Sequence, residues 1–332
     1  MNILDQIGNT PALKLRKVIE NPDVDIYVKC EYLNPSGSIK DRMALRMIEE
    51  AEKAGELKPG GTILDQSTGN TGPALAFVGA VKGYNVRLFI PAQLGSSYDP
   101  ADRIRIARLF GCKVDTVDLD ASMENLESLT SVERAAAFVA FRMKQCYDLE
   151  QKDPSVWWAN QLCNMDNALA NRDTTGKEIV KQLEGKVDAW VASIGSGGTL
   201  LGVAETLNEH NPSVTVVGVV PSDDLRIDWV RSGAIHKRLE HHDMPKLKFI
   251  IESILEKDLL DQTIIVSNDD AKNMADRLSR EEGLFCGISS GANVYAAVQM
   301  AREMRAGSKI VTVLVDNRYR YFTEYPNEHY VV

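Results

Sequence analysis

No stretch of the chain approaches the roughly 20 consecutive apolar residues that a membrane-spanning helix needs, so a spanning protein is excluded. The start, Met1 through Gly8, has neither a basic n-region nor an apolar h-region. No secretory signal is therefore expected, and the expected location is cytoplasmic. Cysteine is scarce and unpatterned. The five residues Cys30, Cys112, Cys146, Cys163 and Cys286 are odd in number and include no C-x-x-C pair. A disulfide framework and a structural zinc site are both disfavoured, and buried free thiols are expected. Histidine is equally sparse. His241 and His242 are adjacent, so they point to different sides of any helix or strand, and no partner stands at ligand spacing. Positive charge is in deficit: Lys and Arg number 38 against 47 Asp and Glu, for a net charge of −9. That balance argues against nucleic acid or an anionic membrane as partner. Internal repeats, low-complexity tracts and Pro/Ser-rich linkers are absent. What remains is a globular composition, 44% hydrophobic and 26% charged, over 332 residues. That length suits two domains.

Apolar, β-branched runs bounded by turn residues predict strands at Thr62–Asp65, Asn85–Ile90, Lys113–Val117, Ala189–Ile194, Thr215–Val220, Thr263–Val266 and Lys309–Val315. Helical periodicity predicts helices over Ile39–Ala54, Gly72–Lys82, Ala101–Leu109, Met123–Gln145, Thr174–Leu183, Leu200–His210, Asp269–Glu282 and Ala292–Arg305. Strands alternating with helices imply βαβ units and mostly parallel sheets covered by helices. Ligands in such folds bind where strand carboxyl ends meet helix N-termini. The polar stretch Gln151–Pro154 is the one weak domain boundary.

Four strand–loop–helix junctions stand out. In Asn34-Pro-Ser-Gly-Ser-Ile-Lys40-Asp-Arg42, Ser38 and Asp41 read as a capping box that places Lys40 in the first turn of a helix. The positive end of the helix dipole disfavours a cation there. A buried lysine so placed loses its proton readily, as Schiff-base chemistry requires, although an ordinary surface lysine satisfies the spacing equally. In Asp65-Gln-Ser67-Thr68-Gly69-Asn70-Thr71-Gly72, hydroxyls and backbone amides at a helix start suit a carboxylate, or simply cap the helix. In Gly195-Ser196-Gly197-Gly198-Thr199, amides, hydroxyls and the helix dipole suit a phosphate. This loop lacks both the Walker A ending and the dinucleotide G-x-G-x-x-G. Cys286 through Ala292, with Ser289 and Ser290, opens another helix. Singly each loop is ambiguous. Together they are the parts needed to hold pyridoxal phosphate and an amino acid.

On these motifs the sequence resembles the cysteine synthase and cystathionine β-synthase family, the fold type II pyridoxal-phosphate enzymes. The resemblance runs in order through Ile7–Pro11, Asn34–Arg42, Ser67–Gly72, Thr174–Gly176, Gly195–Thr199, Gly287–Ala292 and Asp316–Tyr321. It implies an α/β fold with two open, twisted, mostly parallel sheets flanked by helices. It also implies a large cofactor-binding domain (1–38 plus 152–332) and a smaller mobile domain (39–151) that carries the substrate-carboxylate loop. Lys40 would form the Schiff base and act as general base. Asn70 would meet the cofactor's phenolic oxygen, Gly195, Ser196, Gly197, Gly198 and Thr199 its phosphate, and Ser289 its pyridine nitrogen. Ser67, Thr68, Gly69, Thr71 and Gln161 would hold the substrate carboxylate. A serine at the pyridine nitrogen makes a weaker electron sink than an aspartate. That favours prompt loss of a β substituent over transamination.

The expected activity is β-replacement on an activated L-serine, with O-acetylserine and sulfide giving cysteine and acetate. Alternatives are replacement by homocysteine or an amine, β-elimination, and a non-enzymatic binding protein on the same scaffold; a retained Lys40 weighs against the last. The expected partners are an amino-acid substrate and a small nucleophile, with no nucleic acid, membrane or metal, in a homodimer. The sequence departs from the family's pattern in four places. Gly233–Ser253 lacks the usual Gly-rich run. Ile90–Pro100 replaces a Ser-x-Glu-Arg-Arg helix start. Asn171 stands where histidine is common, and Asn317-Arg318-Tyr319 replaces Ser-Gly-Glu. Neither a haem-binding extension nor a C-terminal regulatory tandem is seen, which argues against the large regulated relatives.

Overall fold

The computed structural model describes residues 1–91, 101–117, 128–222 and 224–324. Strands in chain order are β1 (Ala12–Lys14), β2 (Asp25–Cys30), β3 (Thr62–Gln66), β4 (Asn85–Pro91) and β5 (Lys113–Val117). They continue with β6 (Val156–Trp158), β7 (Ala189–Ser193), β8 (Thr215–Pro221), β9 (Gln262–Val266) and β10 (Lys309–Leu314). The helices are α1 (Lys40–Ala54), α2 (Thr71–Lys82), α3 (Ala101–Leu109), α4 (Ser131–Lys152), α5 (Asp166–Asn171) and α6 (Lys177–Gln182). After these come α7 (Gly198–His210), α8 (Arg226–Arg231), α9 (Ala234–His241), α10 (Ile250–Glu256), α11 (Asn268–Arg277) and α12 (Ile288–Ala301).

The chain forms two compact units. The first comprises Met1–Met43, Met165–Asp224 and Ile250–Arg320; the second comprises Ala44–Asn164, Leu225–Phe249 and Tyr321–Val332. The first is built on a sheet of order β1-β2-β10-β7-β8-β9, in which only the β1–β2 pair is antiparallel. The central strands β7, β8 and β10 are buried along nearly their whole length, as helix-covered parallel strands must be, while the edge strands β1 and β9 are more exposed. Ile26 and Val28 of β2, Ile310 and Leu314 of β10, and Val191 of β7 share one core with Met274 of α11 and Val294 and Ala297 of α12. The second unit holds a parallel sheet of order β5-β4-β3-β6. The fold expected from the sequence is therefore the one observed: two mostly parallel sheets flanked by helices.

All seven predicted strands form. Three further strands escaped the sequence reading. The charges of Asp25 and Lys29 interrupt the apolar pattern of β2, yet Lys29 is fully buried. β1 and β6 have only three residues each. The helix expected over Met123–Gln145 runs instead from Ser131 to Lys152, while 118–127 lies outside the described residues. Thr130 and Glu133 form a reciprocal capping box at its start, a signal visible in the sequence. The Gly-poor segment Gly233–Ser253 folds into α9 and the beginning of α10, and α8 precedes it. In the second unit α9 packs on α4, with the rings of Phe141 and His242 6.1 Å apart. Of the other departures, Ile90 and Pro91 end β4, and 92–100 lies outside the described residues.

Candidate active site

The carboxyl ends of β2, β10 and β7 gather three of the sequence motifs in the first unit. β2 leads through a short turn into the loop 34–39 and then α1, whose first residue is Lys40, half-buried. The loop is pinned to the end of β10. The Ile39 N–H donates to the Val315 carbonyl at 2.9 Å, and Ser38 pairs with Asp316 in an antiparallel bridge. Gly37 has φ +91, and a Cβ there would overlap the Asn317 side chain, so both backbone and space demand glycine. The expected Ser38–Asp41 capping box does not form: the Ser38 hydroxyl accepts the Lys40 N–H at 3.3 Å, and the Asp41 N–H goes to the Ser38 carbonyl at 3.4 Å. Asp41 turns instead to Ser36, accepting from its N–H at 2.7 Å and from its hydroxyl. Burial pushes the Asp41 carboxyl up to about 6, against the Ser36 donors and the Arg320 charge.

Behind Lys40 lies a buried ionic network that the sequence reading did not foresee. Arg42 grips Glu31 through Nε and a terminal nitrogen, both at 2.7 Å, and Glu178 at 2.6 and 2.8 Å. Lys29 Nζ donates to Glu178 at 2.6 Å, to Gln182 at 3.1 Å and to the Thr10 carbonyl. The Thr10 hydroxyl donates to Glu31 at 2.6 Å, the Gly8 N–H to Asn34 at 2.9 Å and the Asn9 N–H to Glu178 at 2.9 Å. The opening motif Gly8–Thr10 is thus tied to the start of α1. Two cations face two carboxylates, and the cluster is neutral. Burial raises the Glu178 carboxyl, but Arg42 and Lys29 overcome it and bring the pKa down to about 2.

Beside β10, β7 ends at Ser193, and the loop 195–197 opens α7. Gly197 is the N-cap with φ +93 and has no side chain to cap the helix; the Gly198 N–H reaches Ser196 Oγ at 3.5 Å. A Cβ on Gly197 would stand 3.0 Å from Ile254, and one on Gly198 would overlap Asn167. The glycines are therefore dictated by packing around the loop. Ser196 and Thr199 are buried. Ser196 Oγ accepts from Asn167 Nδ2 at 2.8 Å, which leaves its own proton to donate. An uncapped helix start with orphan N–H groups and two buried hydroxyls fits a phosphate. Asn171 lies in the continuous helical stretch α5–α6, donating to the Asn167 carbonyl at 2.9 Å. Ser290, fully buried, accepts the Val315 N–H at 2.9 Å and so anchors α12 to the end of β10. Its neighbour Ser289 is half-buried at the same helix start. Lys40, the 195–199 loop and Ser289 thus emerge at one edge of one sheet, and Ser290 is taken by the fold.

The second unit repeats the arrangement. β3 ends at Gln66, and Ser67–Asn70 leads into α2, nine of whose residues are buried. Asn70 occupies the N-cap position with no side-chain cap bond. Ser67 Oγ accepts the N–H groups of Gly69 at 3.3 Å and Gly72 at 3.2 Å, leaving its proton to donate. β6 pairs in parallel with β3, and the pairing continues as the Ala159 N–H donates to the Leu64 carbonyl at 2.9 Å. This places Gln161 at the loop. It accepts from the Thr71 hydroxyl and donates to the Gln66 carbonyl at 3.1 Å. The contiguous Ser67, Thr68, Gly69, Asn70 and Thr71 and the distant Gln161 are therefore gathered at one helix start. Beneath them is Asp65, also unforeseen. Its carboxyl accepts from the Gln66 N–H at 2.8 Å and the Gln161 N–H at 3.4 Å. Burial nevertheless pushes it up to about 7.

Comparison with known proteins follows the same lines. The pyridoxal-phosphate dependent enzyme family model matches residues 3–316. A cysteine synthase of Staphylococcus aureus (strain Mu50 / ATCC 700699) is 36% identical over 324 residues, which is 97% of this chain and 95% of that protein. An O-acetylserine dependent cystathionine beta-synthase from Helicobacter pylori has a similar structure, with a TM-score of 0.79 and 28% identity over 97% of each chain. An O-ureido-L-serine synthase gives a TM-score of 0.79 at 28% identity, over 98% of this chain and 96% of that one.

Proposed function

The chain belongs to the family of pyridoxal-phosphate dependent enzymes, and we propose that within it this protein performs β-replacement on an activated L-serine. The favoured pair is O-acetylserine and sulfide, giving cysteine and acetate. The supporting observation is the sheet edge of the first unit. There a helix-start lysine, an uncapped glycine loop with two buried hydroxyls, and a serine at a third helix start converge.

The roles are those that the family resemblance implies, and the donor set fits them. Gly195–Thr199 would hold the cofactor's phosphate through α7 amides and the Ser196 and Thr199 hydroxyls. Ser289 would meet the pyridine nitrogen and Asn70 the phenolic oxygen. Bound through Lys40, pyridoxal phosphate would supply the electron sink that lets an amino acid lose its Cα proton. Lys40 Nζ, displaced by the substrate amine, would take that proton. The α1 dipole favours the neutral amine needed for the task. Ser67, Thr68, Gly69, Thr71 and Gln161 would hold the α-carboxylate, orienting the β substituent for departure. Ser289 offers a hydroxyl in place of a carboxylate. It does not stabilise a protonated ring nitrogen, which supports rapid β-loss rather than transamination.

A second reading keeps the donor chemistry and enlarges the nucleophile to homocysteine or an amine. It is favoured by the Gly233–Ser253 segment, where helices stand in place of the Gly-rich run. One experiment separates the readings. The holoprotein, incubated with O-acetylserine and a panel of sulfide, homocysteine and amines, is assayed for products by mass spectrometry. Cysteine as the dominant product supports the first reading. A thioether or a diamino acid supports the second. Pyruvate and ammonia without any replacement product would overturn both in favour of β-elimination.

A further inference from the structure

The Asp316–Tyr321 motif closes on the turn that carries Lys40, and one of its side chains reaches into that turn. Arg320 is 1% exposed, a buried cation at the end of the first unit's last segment. Its Nη2 donates to the Ser36 carbonyl and, at 3.2 Å, to the Ser36 hydroxyl oxygen. The same hydroxyl donates its proton to one oxygen of the Asp41 carboxylate, and the other oxygen accepts the Ser36 N–H at 2.7 Å. A hydroxyl can accept one bond while it donates another, so Ser36 links the guanidinium to the carboxylate. Asp41 is fully buried and directly follows Lys40 in the chain.

A carboxylate taken from water resists ionisation unless donors or a cation compensate. Burial is the largest influence on Asp41 and pushes its pKa up to about 6. The Ser36 donors and the Arg320 charge oppose it, while Glu31, just after β2, adds to it. Lys40 and Arg42 are the chain neighbours of Asp41 on α1, and Arg42 is taken by Glu31 and Glu178. The backbone of the turn is held separately. The Asn317 N–H donates to the Gly37 carbonyl at 3.2 Å, and the Ile39 N–H to the Val315 carbonyl at 2.9 Å. Those bonds fix the path of residues 37–39 and leave the charge of Asp41 unanswered.

We propose that Arg320 is a positioning residue for Lys40: through Ser36 it supplies the counter-charge that lets an ionised Asp41 stay buried at the start of α1. The inference rests on the role proposed above for Lys40 toward the cofactor. The sign of the linkage makes the hold one of charge. Asp41 titrates higher in the closed turn than its ordinary 3.8, so opening of the turn is favoured as pH rises through about 6. Arg320 offsets that tendency in the range where Lys40 must be neutral. Without it the turn loosens in alkaline solution, and Lys40 loses its fixed place at the sheet edge.

Hydrogen exchange in the full chain with cofactor bound reads the opening of the turn at the Ser36 and Ile39 amides, once corrected for the pH dependence of exchange itself. Amides of β8 report global opening. Arg320→Gln should lower protection of the turn about tenfold or more at pH 8, and by about threefold at most at pH 5. Adding Asp41→Asn should restore most of the protection at pH 8, because no buried charge is left to compensate. Arg320→Lys, which keeps the charge, should lose less and guards against a glutamine variant that fails to fold. Loss of hydrogen bonds alone would lower protection equally at both pH values, with no rescue by Asp41→Asn. Cofactor fixed at residue 40 by borohydride after dialysis at pH 8, measured by peptide mass mapping, should fall about threefold or more in Arg320→Gln and recover in the double variant. Protection within about twofold of the wild type at pH 8, a loss independent of pH, or unchanged fixation despite a loosened turn would each overturn the proposal. If exchange follows the expected pattern but the wild type fixes no cofactor at Lys40, the hold of Arg320 on the turn stands and the role assigned to Lys40 falls.

Discussion

Glu178→Gln tests the buried network behind Lys40 most directly. The side chain keeps its shape and loses one negative charge. Lys29, with its side chain fully buried, and Arg42, with a side chain 1% exposed, would then share the single carboxylate of Glu31. Removing one member of a buried ionic cluster typically costs about 3–5 kcal/mol, because the partner's charge stays buried and unmatched. An independent estimate comes from titration. The Glu178 pKa falls from 4.5 to about 2 on folding, against the pull of its own burial. At 1.36 kcal/mol per unit this difference is worth about 3 kcal/mol. The two routes agree. The sign is that of a depressed acid: the contribution is present above pH 4.5 and lost as pH falls toward 2. Urea unfolding at pH 7 should therefore show Glu178→Gln less stable by about 3 kcal/mol. Between pH 5 and pH 3 the gap to the wild type should narrow. Adding Lys29→Met to Glu178→Gln should restore part of the loss, since it removes the orphaned cation. A Glu178→Gln protein within 1 kcal/mol of the wild type at pH 7, or a gap that does not narrow in acid, would refute the reasoning.

Further outcomes can be checked separately. Borohydride should fix the cofactor to the wild type but not to Lys40→Ala, with peptide mass mapping as the readout; cofactor covalently trapped in the variant would remove Lys40 from its role. Gly198→Ala should weaken cofactor retention on dialysis and lower the melting temperature, because its Cβ overlaps Asn167 in the loop that opens α7. Asp65 titrates in the opposite sense to Glu178. Its folded pKa of about 7 lies above the ordinary 3.8, so its contribution is present below pH 3.8 and is lost as pH rises to 7. That amounts to up to about 4 kcal/mol. Asp65→Asn should flatten the pH dependence of urea stability over that window and be the more stable protein at pH 8.

The sequence made the strands and the four junctions legible because both depend on local signals: apolar runs, turn residues and helix starts. Lys40, the 195–199 loop and Ser289 could be placed on helix starts for that reason. What pulled Gln161 to Thr71 was not local. It depends on β6 pairing with β3, and β6 is three residues long. Only the family resemblance pointed to it. The ionic network was illegible for the same reason, since Glu31, Arg42 and Glu178 read as ordinary polar residues until tertiary packing removes water from them. The same packing hid β2, whose Lys29 breaks the apolar pattern but finds Glu178. The capping box at Lys40 failed through competition. The Ser38 hydroxyl accepted the Lys40 N–H, and the Asp41 carboxylate found the Ser36 N–H and hydroxyl instead.

The neutrality of the network bears on Lys40 itself. Arg42 is two residues from Lys40 on the same first turn, and an unmatched guanidinium there would add a full positive charge to the partial charge of the helix start. Such a field would favour the neutral amine of Lys40 but would also resist any step that returns a proton to it. With Glu31 and Glu178 in place the cluster sums to zero, and Arg42 adds no net charge to the helix start. A general base that must take up and release a proton in each cycle needs that balance, with its pKa near working pH. The net charge of −9 is distributed in the same spirit. The loops proposed to take phosphate and carboxylate are lined by amides and hydroxyls rather than by free cations. Anion binding there is a property of helix starts and of the hydroxyls of Ser67, Ser196 and Thr199.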